Sequence, residues 1–382
     1  MLATPPFGAS SNIALWRANN KPPVELVVAD LEGRYTIVKM MNRNKLTGLS
    51  FLLSVLVLYI HANNLSYFVL NDSQGFVRQI ETFISETLGL VAVPTFFVIS
   101  GAQFFLNIDI IRNDNAKIIR NKIEKRIKTL FIPYLIWNFV GTVFYMIIPR
   151  IPVVDAIMRG SAVDFNLTNV VEGVFCYKYY FPFWYLAHLC VLMLCTPIFY
   201  ILLKKRSLWI VLIVSAVMHL LGYNLKVISS SSIFFFCLGI YGVQVSKWML
   251  MNYKKTDIKI CAVIFVCSLI IRNHNAGTLI SGILYLCSPI FLWISTENVN
   301  WHFVTKNKFF GQSFFIYCSH IIILSTVGRL LAKFYASDGN AFKILICYII
   351  TPIITLCIIW GIQNILKRYF EKVYQVICGG RG

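Results

Sequence analysis

The sequence predicts an all-α, polytopic integral membrane protein of about ten transmembrane helices, N-in and C-in, on three observations. Of its 382 residues 58% are hydrophobic and only 13% charged, about half the charged share of an ordinary soluble domain. The apolar residues fall in repeated blocks long enough to span a bilayer, separated by short polar stretches. The cations alternate in density between successive connecting segments, as the positive-inside rule requires.

The spans are expected at 47–66, 87–106, 129–148, 183–203, 208–224, 231–250, 259–273, 277–295, 312–332 and 343–366. With the N-terminus inside, the inner segments collect Arg43 and Lys45, then Lys117 to Lys128, Lys204 to Arg206, Lys247 to Lys259, Lys306 and Lys308, and Lys367 to Lys372. The outer segments hold far fewer, among them Arg78, Arg150, Arg159, Lys178 and Lys226. A net charge of +19 is therefore topogenic and suits anionic lipid, and no nucleic-acid partner is expected. Residues 1–39 read as a mixed polar extension, disordered or not native, with translation starting at Met40 or Met41. Residues 40–372 form the membrane domain and 373–382 a cytoplasmic tail. Nine of the eleven cysteines fall in apolar spans and read as packing residues. The chain has no metal motif, phosphate-binding glycine loop or GxSxG elbow.

The first span, LTGLSFLLSVLVLYIHANN (46–64), carries its polar residues on one face. Thr47, Ser50, Ser54, His61 and Asn64 follow helical offsets of three, seven, fourteen and seventeen. An ionisable group inside a span is costly and marks a functional site by default, and histidine suits proton transfer near neutral pH. The alternative is that the serines bond locally and His61 reaches the interface. PTFFVISGAQFF (94–105) ends the second span, where Ser100 and Gly101 permit close approach of a helix or a ligand. The segment NDNAKIIRNKIEKRIKTLFIPYLIW (113–137), together with Arg112 just before it, holds seven cations, suited to topology, to lipid or to a phosphate-bearing ligand. In FPFWYLAHLCVLMLCTPIF (181–199) an aromatic belt precedes His188, and GQSFFIYCSHIIIL (311–324) places His320 in an apolar span. Singly, His188 and His320 read as structural or gating residues.

These blocks, with IFFFCLGIYG (233–242), resemble in order and spacing the membrane acyltransferase family 3, over residues 46 to 366. EKRIKTLFIPYLIW resembles the branch containing intercellular-adhesion polysaccharide modifiers. The resemblance implies a bacterial plasma-membrane O-acyltransferase that moves an acetyl or succinyl group from acyl-CoA to a hydroxyl of a cell-surface or exopolysaccharide sugar. Acyl-CoA is then a co-substrate and no cofactor is bound; the partners are a glycan acceptor, lipid and polysaccharide-synthesis machinery. The resemblance makes His61 the catalytic residue, as general base or as acyl carrier, and matches the family's arginines to Arg126 and Arg120; with their neighbour Lys128 these are the expected donor-binding cations. Ser50, Ser54, Ser100, Trp184, His188 and His320 are expected to line the cavity. Two positions depart from the family: Ser50 stands where an arginine eleven residues before the histidine is usual, and His188 replaces an acidic residue. A glycan exporter or a catalytically degenerate scaffold are the alternatives; the former predicts an internal repeat, which the sequence lacks.

Overall fold

The computed structural model describes residues 25–29, 35–39, 41–63, 75–110, 115–151 and 162–380. Asn64, Arg112 and Arg159, and most of the expected N-terminal extension, lie outside these residues. Helices occupy all ten expected positions. They are α1 (Arg43–Ala62), α2 (Gly75–Thr82) running into α3 (Ala92–Phe105), and α4 (Asn115–Arg126) running into α5 (Ile132–Ile147). After a short α6 (Leu167–Phe175) come α7 (Trp184–Leu194), α8 (Thr196–Lys204), α9 (Leu208–Leu220), α10 (Ser230–Gln244), α11 (Lys255–His274) and α12 (Leu279–Ser295). A single turn, α13 (His302–Lys306), precedes α14 (Ser313–Phe334), α15 (Ala341–Tyr369) and α16 (Glu371–Ile377).

Among the described residues, five helical segments can cross a membrane by length and composition, or six if the bent α7–α8 pair is one span. α9, α10 and α12 are apolar but shorter; the longest, at 17 residues, rises about 25 Å against a hydrocarbon core of about 30 Å. Ahead of the helices, β1 (Glu25–Ala29) pairs antiparallel with β2 (Tyr35–Lys39), Glu25 opposite Lys39. ELVVA and YTIVK are rich in β-branched residues, which favour strands, so a hairpin adjoins the helical fold.

Prolines shape the spans. Pro133 has no N–H for the Thr129 carbonyl four residues back, and the chain there opens into a wide π turn, Ile127–Phe131. Pro94 likewise follows a π segment, Phe83–Leu88, and a tight turn, Gly89–Val91. Pro197 coincides with the 51° bend between α7 and α8. The Met193 carbonyl that it cannot reach accepts instead from the Thr196 hydroxyl at 2.7 Å.

The core gathers α1, α3, α7, α10, α12 and α14. Gly101 of α3 and Gly239 of α10 let two backbones touch: a Cβ on either would run into a carbonyl oxygen of the other helix, Phe236 or Val98. At the basic end Lys45 is 1% exposed. Its Nζ donates to the Trp293 carbonyl at 2.7 Å and to Glu297 at 2.5 Å, clamping α1 to the end of α12. Breaking a buried pair by removing one partner costs about 3–5 kcal/mol, because the other charge is stranded. Glu297→Leu is therefore expected to lower the unfolding midpoint in detergent sharply. Adding Lys45→Met should recover most of that loss; a double variant no more stable than the single one would refute the clamp.

Candidate active site

Thr47 and Ser50, on the polar face of α1, open onto a cavity of about 310 Å³. Its polar wall is completed by Ser100 and Gln103 of α3, Arg126 at the end of α4, Tyr185 of α7 and Tyr317 of α14. Ser100 Oγ lies 3.4 Å from the Tyr185 hydroxyl. Arg126 is half-buried and immediately precedes the π turn, whose Leu130 also lines the cavity. No carboxylate among the described residues pairs with Arg126. A half-buried guanidinium without a counter-charge is suited to an anionic or strongly polarised ligand.

A second, polar basin of about 750 Å³ adjoins the first at the basic end. It is lined by Arg43, Asn44, Lys367, Glu371, Tyr374 and Gln375, and shares Thr47, Gly311 and Gln312 with the inner cavity. The Tyr374 hydroxyl donates to Gln312 Oε1 at 2.9 Å, tying α16 to the threshold between them.

His61 occupies the last turn of α1, eleven residues beyond Ser50, which is three turns or about 16 Å of rise. Its ring faces that of His320 of α14, with centroids 5.3 Å apart and planes at 37°. His320 is fully buried, and its Nδ1 lies 2.6 Å from the Tyr317 carbonyl oxygen. The Tyr317 ring is 5.9 Å from that of His320 and is itself part of the cavity wall. The wall is thus one side chain from His320 and two from His61.

Several expected site residues stand apart from this arrangement. Ser54 Oγ donates to the Ser50 carbonyl at 2.9 Å, the local bonding that the alternative reading of span one anticipates. His188 Nδ1 lies 3.0 Å from Ser232 Oγ, and its ring meets that of Trp184 edge-on at 5.2 Å; the pair links α7 to the start of α10. Arg120 projects outward, its side chain 80% exposed and paired with Glu124 at 2.9 Å. Lys128 is exposed on the π turn. Conversely, the sequence reading passed over Gln103, Tyr185, Tyr317, Gln312, Arg43 and Lys367. Gln103 had a signal, since it follows Ser100 by three and so shares its face. Nothing in the sequence signals that His61 meets His320. Among the described residues no group of three His, Cys, Asp or Glu could hold a metal ion, and none of the eleven cysteines forms a disulfide.

A family model of the acyltransferase domain of acyltransferase family 3 matches residues 43–364. The chain belongs to that family. It is therefore an acyltransferase enzyme, set in a bundle of apolar helices, that acts on an acyl donor and an acceptor. No curated protein and no solved structure matches the chain significantly. The match begins with α1 and ends within α15, so it takes in the cavity and both histidines, while Lys367 and α16 lie beyond it.

The cavity gives this acyltransferase a direct test. Ser50→Phe places a ring in the space that Ser50 leaves open, and should reduce acyl transfer about tenfold or more, a barrier change of at least 1.4 kcal/mol. The unfolding midpoint should stay close to wild type. Undiminished turnover in a folded variant would show that the cavity is not the reaction path.

Proposed function

We propose that this acyltransferase moves an acetyl or succinyl group from acyl-CoA to a sugar hydroxyl of a cell-surface or exopolysaccharide, across a ten-span, N-in/C-in domain of the bacterial plasma membrane. The carrying observation is that Arg126 and Ser50 line one cavity. The arginine usual at the Ser50 position is missing, and a guanidinium from another helix reaches the same space. The resemblance of EKRIKTLFIPYLIW to the intercellular-adhesion branch favours a polysaccharide acceptor.

In this reading the phosphates of the donor rest in the basin beside Arg43 and Lys367, and the acyl-bearing arm passes Gln312 into the cavity beside Arg126. The acceptor approaches from the opposite end, toward His61. His61 takes the proton of the sugar hydroxyl as its oxygen attacks the thioester carbonyl carbon. The tetrahedral intermediate then expels the thiolate, the C–S bond breaks, and the proton on His61 passes to sulfur. The products are a sugar ester and free coenzyme A thiol. An acyl-histidine route would use the same residue as nucleophile. Rapid-quench mass analysis separates the two, since only that route leaves acyl-enzyme during a single turnover.

His61→Ala should lower kcat by about 10²- to 10⁴-fold, the usual range for a general base, in lipid-reconstituted protein supplied with radiolabelled acyl-CoA and glycan. Full transfer by that variant would remove the mechanism. Arg126→Ala should raise KM for acyl-CoA about tenfold or more with a smaller change in kcat, as loss of ground-state binding does. Arg120→Ala should change neither parameter. Adding Ser50→Arg to Arg126→Ala should recover part of the donor affinity; no recovery would sever the proposed equivalence of the two positions.

A further inference from the structure

Proton transfer by His61 alone leaves one buried group unused. The Tyr317 carbonyl can only accept a hydrogen bond, so the 2.6 Å contact with His320 Nδ1 places the His320 proton on Nδ1. Nε2 then carries a lone pair, and it is buried with no hydrogen-bond partner among the described residues. A buried acceptor left unpaired is unfavourable, and phenylalanine or leucine would fill the site without that penalty. A ring in this position therefore points to a donor that uses the lone pair.

The neighbouring imidazole is that of His61, 5.3 Å away between centroids. An in-line N–H···N bond between two imidazoles has nearly this spacing: each nitrogen lies roughly 1 Å from its ring centre and the nitrogens about 3 Å apart. No hydrogen bond joins the two rings among the described residues, and catalytic hydrogen bonds often tighten only once substrate is in place.

We propose that His320 is the positioning residue of a two-histidine dyad, its Nε2 accepting the N–H of His61 so that the other His61 nitrogen presents its lone pair to the acceptor hydroxyl. This rests on the reading of His61 as the base. The bonds then run in one direction, from His61 N–H to His320 Nε2 and from His320 Nδ1–H to the Tyr317 carbonyl, and each polarises the next. When His61 takes the hydroxyl proton, its cationic N–H is already held by a neutral acceptor. His320 remains uncharged throughout, whereas a carboxylate in its place would bury a charge in the hydrocarbon region before any reaction begins. Tyr317 also walls the cavity, so the turn that fixes the His320 tautomer borders the proposed donor path.

The test compares His320→Phe, His320→Asn, His320→Gln and His61→Ala in lipid-reconstituted enzyme, measuring kcat and KM for acetyl- or succinyl-CoA with a glycan acceptor, and unfolding midpoints. A glutamine oxygen can reach the place of Nε2, whereas an asparagine amide stops near Nδ1. His320→Phe and His320→Asn should lose about 100-fold in kcat with little change in KM, and His320→Gln should stay within about tenfold of wild type. Wild-type kcat in a folded His320→Phe, or equal losses in the Gln and Asn variants, would overturn the dyad. If His320→Phe does not fold, the contrast between Gln and Asn decides alone. Retained activity in His61→Ala would defeat the reading of His61 and the dyad with it. An inactive His61→Ala beside fully active His320 variants would defeat the dyad only.

Discussion

Surrounded by hydrocarbon, a polar side chain on a membrane helix has no water to turn to, so it must find its partner inside the protein. The organisation of this chain follows from that constraint. The polar face of α1 turns inward, where Thr47 and Ser50 meet the cavity and His61 meets α14. At the basic end Lys45 is admitted to the interior because Glu297 and the Trp293 carbonyl receive it. Tyr180 of the segment before α7 donates to the Cys318 carbonyl at 2.7 Å, and Tyr317 donates to that of Pro182. These bonds pin α14 beside α7, and that seam carries both Tyr185 and Tyr317 into the cavity wall.

Irregular turns then set where the chemistry-bearing side chains fall. A straight helix through Pro133 would leave the Thr129 carbonyl without its donor and force the proline ring against it. The π turn before it resolves the conflict by widening the helix, and Arg126 is the residue on which α4 hands over to that turn. Arg126 therefore sits at a junction that aims it into the bundle, while Arg120, less than two turns earlier, faces outward to Glu124. Two arginines of one basic helix differ in environment because the helix axis does not continue unchanged between them.

The helices were legible in the sequence because the length of an apolar block and the cations at its ends are local quantities. Their crossing lengths were less so: the blocks around α9, α10 and α12 extend on paper through flanking residues that turn out of the helix, at Gly222 with φ of 75° and Lys247 with φ of 60°. Ser50, Ser100 and Arg126 could be nominated one by one from polarity and charge. Their meeting in one cavity depends on three helices crossing, which no spacing along the chain encodes. The same holds for His61 and His320, and for Trp184 and His188, whose partners Phe97 and Ser232 come from α3 and α10. The β hairpin is hard to read from the sequence because its two short β-branched runs sit inside a mixed polar stretch.

In the proposed reading, where Arg126 supplies the cation that the resemblance expects at the Ser50 position, the change of helix has a mechanical consequence. A guanidinium three turns below His61 on the same helix would be held at a fixed distance from it, since α1 is continuous from Arg43 to Ala62. Supplied from Arg126, the cation sits on the α4–α5 segment, and its separation from His61 is set by how that segment packs. The packing is governed at the π turn, where Gly379, with φ of 61°, lies so close to the Thr129 backbone that a Cβ would collide with its carbonyl oxygen. Trp137 Nε1 donates to the Ile377 carbonyl at 3.1 Å, tying α5 to α16 as well. The same C-terminal helix carries Tyr374 to the Gln312 threshold. The polar basin and the cavity arginine are thus braced by one short segment beyond the region matched by the family model. In the proposed reading the geometry between cation and histidine is held by α16 as much as by the helices within the matched region.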